Sequence, residues 1–128
     1  MIDDTQLDKA SFSYKDLTGE DRWETFTPSG TITVVGTPTY TGRFRIVGRM
    51  CFFQITLVAT TSVATTAGTS FFNLPVTAAG LGGMATMSNE TTNVAVGTCH
   101  VDVTLSRVYP PTQGASANTF VIVGYYEV

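Results

Sequence analysis

The stretch from Thr119 to Glu127, TFVIVGYYE, is apolar at almost every position. Successive side chains of a strand point to opposite faces, so an ordinary sandwich strand alternates apolar residues with polar ones. This stretch does not alternate, and both of its faces therefore have to be covered, by a loop or by another subunit. One predicted face holds Phe120, Ile122 and Tyr126, and the other holds Val121, Val123 and Tyr125.

A second stretch, TGRFRIVGRMCFFQITL at 41–57, has the same property. It predicts a hairpin that turns at Val47-Gly48-Arg49, because glycine supplies the positive φ of tight turns. The predicted inner face holds Phe44, Ile46, Phe53, Ile55 and Leu57, and the outer face begins with arginines and continues into Met50 and Phe52. We predict that a partner subunit covers the outer faces of both stretches, with Met50, Phe52, Val121 and Val123 as contact residues.

Short strand patterns follow one another from about residue 27 to the end of the chain, and turn residues separate them. A chain of 128 residues is long enough for one domain with a real core. We predict an all-β fold, an antiparallel β-sandwich that is jelly-roll-like, with seven or eight strands. The candidate strands are 31–35, 39–47, 50–60, 69–74, 83–88, 92–97, 99–108 and 119–127.

The N-terminal segment differs in kind from the rest of the chain. Residues 1–24 hold seven of the ten acidic residues, and their few apolar residues keep no clear period. We predict an acidic arm over 1–25, extended or partly helical, followed by a sandwich domain over 26–128. Such a segment gains order by docking onto another protein, which we expect to be its role here.

Composition excludes several classes of function. Four arginines over residues 25–128 are too few and too scattered for a nucleic-acid surface. The sequence has no stretch of 18 apolar residues and no signal-peptide pattern, so we expect neither membrane insertion nor classical export. The two cysteines, Cys51 and Cys99, are expected to be reduced and buried in a protein made in a cytosol.

Catalytic and metal-binding patterns are sparse. His100, the only histidine, would share a strand face with Asp102, an arrangement that a small hydrolase could use as a general base. No nucleophile accompanies the pair, because Cys99 would point to the opposite face. Zinc and calcium spacings are missing too, so we predict a protein that is not an enzyme and that has no cofactor.

Aromatic residues offer a further possibility, because flat rings in β-sandwich modules can stack on sugars. The candidate platforms are Trp23, Tyr40, Tyr109, Tyr125 and Tyr126. We choose Tyr109 as the glycan-contact candidate, since it opens the long loop YPPTQGASAN at 109–118. This leaves an alternative function open, a carbohydrate-binding module associated with a polysaccharide-degrading enzyme.

An ordered set of short motifs resembles the small β-sandwich domains of bacteriophage tail fibres, tail spikes and virion decoration proteins. The motifs are WETFTPSG at 23–30, YTGRFRIVGRMCFFQITL at 40–57, FFNLPVTAA at 71–79 and FVIVGYYEV at 120–128. The matching framework residues are Trp23, Thr27, Pro28, Phe44, Gly48, Phe53, Leu74, Pro75, Gly124 and Tyr125. Framework residues hold the fold, so none is transferred as a receptor contact. The chain departs from a typical fibre because no repetitive shaft precedes the sandwich.

The resemblance implies a homotrimeric virion protein, synthesised in the cytoplasm of the bacterial host. We therefore predict a tail-fibre, receptor-binding or decoration protein that docks on other virion proteins through residues 1–25. Its sandwich would present loops for attachment to host-surface glycans. The loops at 61–68, 76–83 and 109–118 are the predicted outward segments.

Overall fold

A computed structural model of the chain describes residues 23–80 and 82–128. The predicted arm conformation over 1–22 lies outside these residues. Within them every regular element is a strand, and there is accordingly no helix long and apolar enough to cross a membrane. The strands are β1 (Glu24–Phe26), β2 (Gly30–Thr31), β3 (Thr33–Val35), β4 (Thr39–Val47), β5 (Met50–Val58), β6 (Ser62–Thr65), β7 (Phe71–Asn73), β8 (Gly83–Asn89), β9 (Val94–Asp102), β10 (Arg107–Tyr109), β11 (Gln113–Ser116) and β12 (Thr119–Glu127).

The strands form two antiparallel sheets. Nine of them pair in the order β1-β4-β5-β12-β8-β9-β10-β7-β2, and the other three pair in the order β11-β6-β3. The large sheet curls until distant strands meet, since the rings of Tyr40 on β4 and Phe72 on β7 are 5.8 Å apart. The predicted antiparallel sandwich is thereby confirmed.

The centre of the fold is the strand group β4-β5-β12-β8. All nine residues of β5 pair with β4 on one side and with β12 on the other. The β4–β5 hairpin turns at Gly48-Arg49, where Gly48 has φ +61°, as the first position of a type II′ turn requires. On β12, a Cβ at Gly124 would collide with the Met84 carbonyl and the Ala85 side chain, so glycine permits this close pairing with β8.

The core lies between the inner faces of the curled sheet and the three-stranded sheet. Strand β5 buries every second residue, and β12 does the same, as their period predicts. The three-stranded sheet contributes Val63 to this core. The buried apolar residues are Cys51, Phe53, Ile55, Leu57, Val63, Phe72, Leu74, Ala85, Met87, Cys99, Val101, Val108, Phe120, Ile122 and Tyr126.

Strand β9 makes the corner of the sandwich. Its first part pairs with β8, and its last residues, His100 to Asp102, pair with β10. The register shifts at Met87/Ser88, which leaves an extra residue on β9, the kind of bulge that bends a strand between layers. The two strands predicted at 92–97 and 99–108 are therefore wrong. One strand spans Gly97, and a turn at 103–106 ends it.

Pairing that the sequence does not display also corrects the predicted outward loops. The segments 61–68 and 109–118, predicted as outward loops, contain β6 and β11, which pair with each other. Residues 24–26, which span the predicted boundary between the arm and the sandwich, form β1 against β4. Ile46 lies on the inner face as predicted, opposite the buried Cys51. It is nevertheless 44% exposed, because β1 pairs with β4 only as far as Phe44 and leaves that side of Ile46 without a neighbouring strand.

Tyr126 ties the loop after β7 to the core. Its side chain is completely buried, its hydroxyl donates to the carbonyl of Val76 at 2.7 Å, and it accepts from the Val76 N–H at 3.0 Å. Burial raises the pKa of this phenol, so it remains a neutral donor. One hydroxyl thus satisfies both backbone groups of Val76.

We expect Tyr126→Phe to destabilise the fold by about 1–3 kcal/mol, because the partly buried N–H and carbonyl of Val76 would both lose their hydrogen-bond partner. Urea unfolding followed by circular dichroism measures the change. Tyr125→Phe is the matched control on the same strand. The Tyr125 hydroxyl contacts only the Met84 sulfur at 3.3 Å, and the side chain is 38% exposed, so little change is expected. Equal losses in the two variants would contradict this account.

Candidate interaction surfaces

The side of the central strands that faces away from the core carries a cluster of apolar residues, which we call the outer patch. Four of its side chains are well exposed: Phe52 at 38%, Tyr125 at 38%, Val123 at 44% and Met84 at 59%. Two half-buried residues complete it, so the outer patch consists of Met50, Phe52, Met84, Val121, Val123 and Tyr125. An exposed group of large apolar side chains on rigid strands is typical of an interaction site.

Strand register makes the outer patch continuous. Tyr125 is paired with Phe52 on one side and with Met84 on the other, so these three residues form one row across β5, β12 and β8. The rings of Phe52 and Tyr125 are 6.1 Å apart, and the Tyr125 hydroxyl reaches the Met84 sulfur. Val123 lies in the next row, between Gln54 and Thr86.

All four predicted contact residues lie on this face. Phe52 and Val123 are exposed, while Met50 and Val121 are half-buried. Tyr125 and Met84 were not in the predicted set. The period of two along β12 places Tyr125 on the same face as Val123, so the sequence alone could have identified Tyr125 as a contact residue. Met84 joins the outer patch only because β8 pairs with β12.

Two arginines flank the outer patch on β4, and Trp23 covers them. The guanidinium carbon of Arg43 lies 4.8 Å from the centre of the indole ring, and that of Arg45 lies 5.7 Å from it. These distances allow cation–π attraction. Arg43 also donates through Nε to Gln54, whereas the buried Nε of Arg45 has no acceptor among the described residues.

A second surface lies at the corner of the sandwich, in an open groove of about 410 Å³ that we call the Tyr109 groove. Pairing of β10 with β9 sets Tyr109 directly opposite His100, and their rings are 6.0 Å apart. On the other side of Tyr109, the centre of the Phe71 ring is 5.9 Å from the centre of the Tyr109 ring. The guanidinium carbon of Arg107 lies 4.0 Å from the centre of the Phe71 ring. The groove is lined by Ala67, Gly68, Thr98, His100, Asp102, Tyr109, Pro110 and Pro111.

The His100 and Asp102 side chains share the groove, as their spacing predicts, but they are not arranged as a catalytic pair. One carboxylate oxygen of Asp102 accepts from the N–H groups of Thr104 and Leu105, at 2.9 and 3.1 Å. Asp102 therefore holds the turn after β9, and His100 is exposed on an open surface. The neighbouring Cys99 is buried on the opposite face, and burial raises the pKa of its thiol to about 12.

The other predicted aromatic platforms have different surroundings. Tyr126 lies in the core, where no sugar can reach it. Tyr40 is half-buried against Phe72, Tyr125 belongs to the outer patch, and Trp23 stacks on the arginines of β4. Tyr109 borders its groove together with the polar side chains of Thr98, His100 and Asp102.

Within residues 23–80 and 82–128, no three His, Cys, Asp or Glu side chains are grouped so that they could hold a metal ion.

Comparisons with protein-family models, with curated proteins and with solved structures found no match for this chain. What the molecule does has to be inferred from the two surfaces themselves.

We expect both cysteines to resist iodoacetamide at about pH 8 in the native protein, because the thiolate is the reactive form. Cys51 and Cys99 are buried free thiols, and burial raises the pKa of each. Mass spectrometry should find both modified after unfolding in guanidinium. Val94→Cys, at a position 58% exposed, is the control that should react at once. Rapid native labelling of Cys51 or Cys99 would contradict their placement.

Proposed function

We propose that this chain is a non-enzymatic structural protein of a bacteriophage virion that assembles as a homotrimer through the outer patch. The observation that carries the proposal is the exposure of Phe52, Met84, Val123 and Tyr125 on the rigid centre of the fold. The role in a virion rests on the resemblance of the ordered motifs from Trp23 to the C-terminus.

The chemistry of the outer patch favours association with protein. Its exposed members are aromatic, aliphatic and thioether side chains, the types that are enriched in the centres of interfaces. Polar residues surround it, including the Gln54 and Thr86 neighbours of Val123 and the arginines of β4. Burying apolar surface contributes roughly 25 cal/mol per Å² before ordering costs, so covering this face gives a substantial driving force.

We expect light scattering to give a mass of three chains for the unsubstituted protein, and Phe52→Asp to shift it toward one chain. The substitution buries an unpaired charge at the contact, and a loss of 2–3 kcal/mol weakens association by roughly 30- to 150-fold. Because Phe52 faces away from the core, the melting temperature at low protein concentration should change little.

Val94→Asp is the matched control, because Val94 is an exposed apolar residue on β9 outside the outer patch. It should leave the mass unchanged. A concentration-independent mass of one chain for the unsubstituted protein would refute the trimer. Unfolding by Phe52→Asp at all concentrations would place Phe52 in the core instead.

The Tyr109 groove favours a second candidate, glycan contact. It combines the rings of Tyr109 and His100 with the polar groups of Asp102 and Thr98, and saccharides present apolar ring faces together with hydroxyls. Its volume falls within the usual range of ligand sites. In a trimer this groove would serve attachment to host-surface glycans, and three copies would add avidity. In a monomer the same groove would fit a carbohydrate-binding module.

We expect Tyr109→Ala to abolish binding to any oligosaccharide that a glycan array identifies, while the trimer mass stays unchanged, because the substitution removes the stacking ring. Phe52→Asp serves as the crossed control. The Phe52→Asp variant should bind the oligosaccharide at a single Tyr109 groove with unchanged affinity, as measured by NMR titration. It should lose only the additional affinity that three linked grooves provide. Unchanged glycan binding by Tyr109→Ala would exclude the Tyr109 groove as the site.

A further inference from the structure

We propose that residues 1–22 of the same chain lie across the outer patch before copies associate, so that the arm and a neighbouring copy compete for one surface. The inference rests on the proposed function for the identity of the competitor. The contact between the arm and the outer patch does not depend on the proposed function.

The described chain begins at the margin of the outer patch. Strand β1 is the edge strand beside β4, and Glu24 is paired with Phe44. Trp23, the residue before β1, lies on the outer face, where its ring covers Arg43 and Arg45. Arg45 is paired with Phe52, which is paired with Tyr125. The described chain therefore begins level with the central row of the outer patch.

The distance to be covered is short. Met84 lies four strands from β1, in the order β1-β4-β5-β12-β8, which is about 19 Å at the usual spacing of paired strands. Six extended residues span about 20 Å. The chain can therefore bring Leu17 as far as Met84, and the residues before it can reach every side chain of the outer patch.

The composition of the arm matches what this face needs. Phe12, Tyr14 and Leu17 are apolar residues within reach of the outer patch. Residues 1–22 also contain six acids and three bases, a net charge of −3. Glu20 and Asp21 precede Trp23 in the sequence by three and two residues, and Trp23 lies beside Arg45, whose Nε lacks an acceptor among the described residues. A carboxylate at that position would form a charge-assisted hydrogen bond with the guanidinium group.

The tether favours the chain's own arm over that of another copy. A short linker gives an attached segment an effective concentration in the millimolar range, well above the concentration of free copies in a dilute solution. Association of copies then has to displace the arm, and a partly covered surface binds its partner more weakly in proportion to the covered fraction. An arm released in this way would be free to dock on another virion protein.

The test uses the full chain with the photo-crosslinking residue p-benzoylphenylalanine at position 123, where Val123 is exposed in the outer patch. The substituted protein is diluted below its association range and mixed with ¹⁵N-labelled unsubstituted chain. We expect mass spectrometry to find crosslinks to peptides from residues 1–22 of the unlabelled chain. The same residue at position 94, at the other end of the sandwich, should give no crosslinks to the arm.

Crosslinks from position 123 only to labelled chain, only to residues 23–128, or to no peptide would each overturn the inference. These outcomes are distinct from failure of the proposed trimer. A protein that stays monomeric at every concentration would end that proposal, and the crosslinks would still decide whether the arm covers the outer patch.

Measurements of self-association give a second test. Weakening the arm should strengthen association if the arm covers the outer patch, and should weaken association if the arm joins copies together. We expect the paired substitution Tyr14→Ser and Leu17→Ser to strengthen self-association, by about tenfold if the arm covers the outer patch nine-tenths of the time. Thr18→Ser is the control within the arm and should change nothing. Unchanged or weaker association of the paired variant would refute competition.

Discussion

The pairing of β5 with β12 is the interaction on which the rest of the structure depends. Nine consecutive residue pairs join Met50–Val58 to Thr119–Glu127, and this register places one apolar set inside and another outside. A shift by a single residue would exchange the two sets on one strand and expose its core residues. The same register aligns Phe52 with Tyr125, so the core and the outer patch have a common origin.

The fold presents two candidate interaction surfaces in different places. The outer face of the central strands of the large sheet carries the outer patch, where apolar side chains favour contact with protein. The corner made by β9 and β10 carries the Tyr109 groove, where rings and polar groups favour a small ligand. Because the two surfaces use different side chains, single substitutions can test the proposed assembly and the proposed ligand binding separately.

Individual residues indicate how far sequence reasoning reaches. The bounds of β4 and β12 match their predicted ranges, since long runs with a clear period of two are recognisable. Strands β6 and β11 were predicted as loops, because four-residue strands rich in Ser, Thr, Ala and Gly carry little periodic signal and are held by each other. The predicted break within β9 was wrong, because Gly97 lies at a bulge and β9 continues to pair with β8 as far as Cys99 before it pairs with β10.

The sequence by itself determined that the chain forms an antiparallel β-sandwich, and that β5 and β12 have two apolar faces, because strand period alone separates the faces of a strand. It also identified Tyr109 and the pair His100 and Asp102 as polar or aromatic residues of interest. Only the tertiary structure decided that Met84 completes the outer patch, that Phe71 and His100 flank Tyr109, and that Trp23 covers two arginines. These neighbours come from strands distant in the chain, and pairing order is a property of the whole sheet.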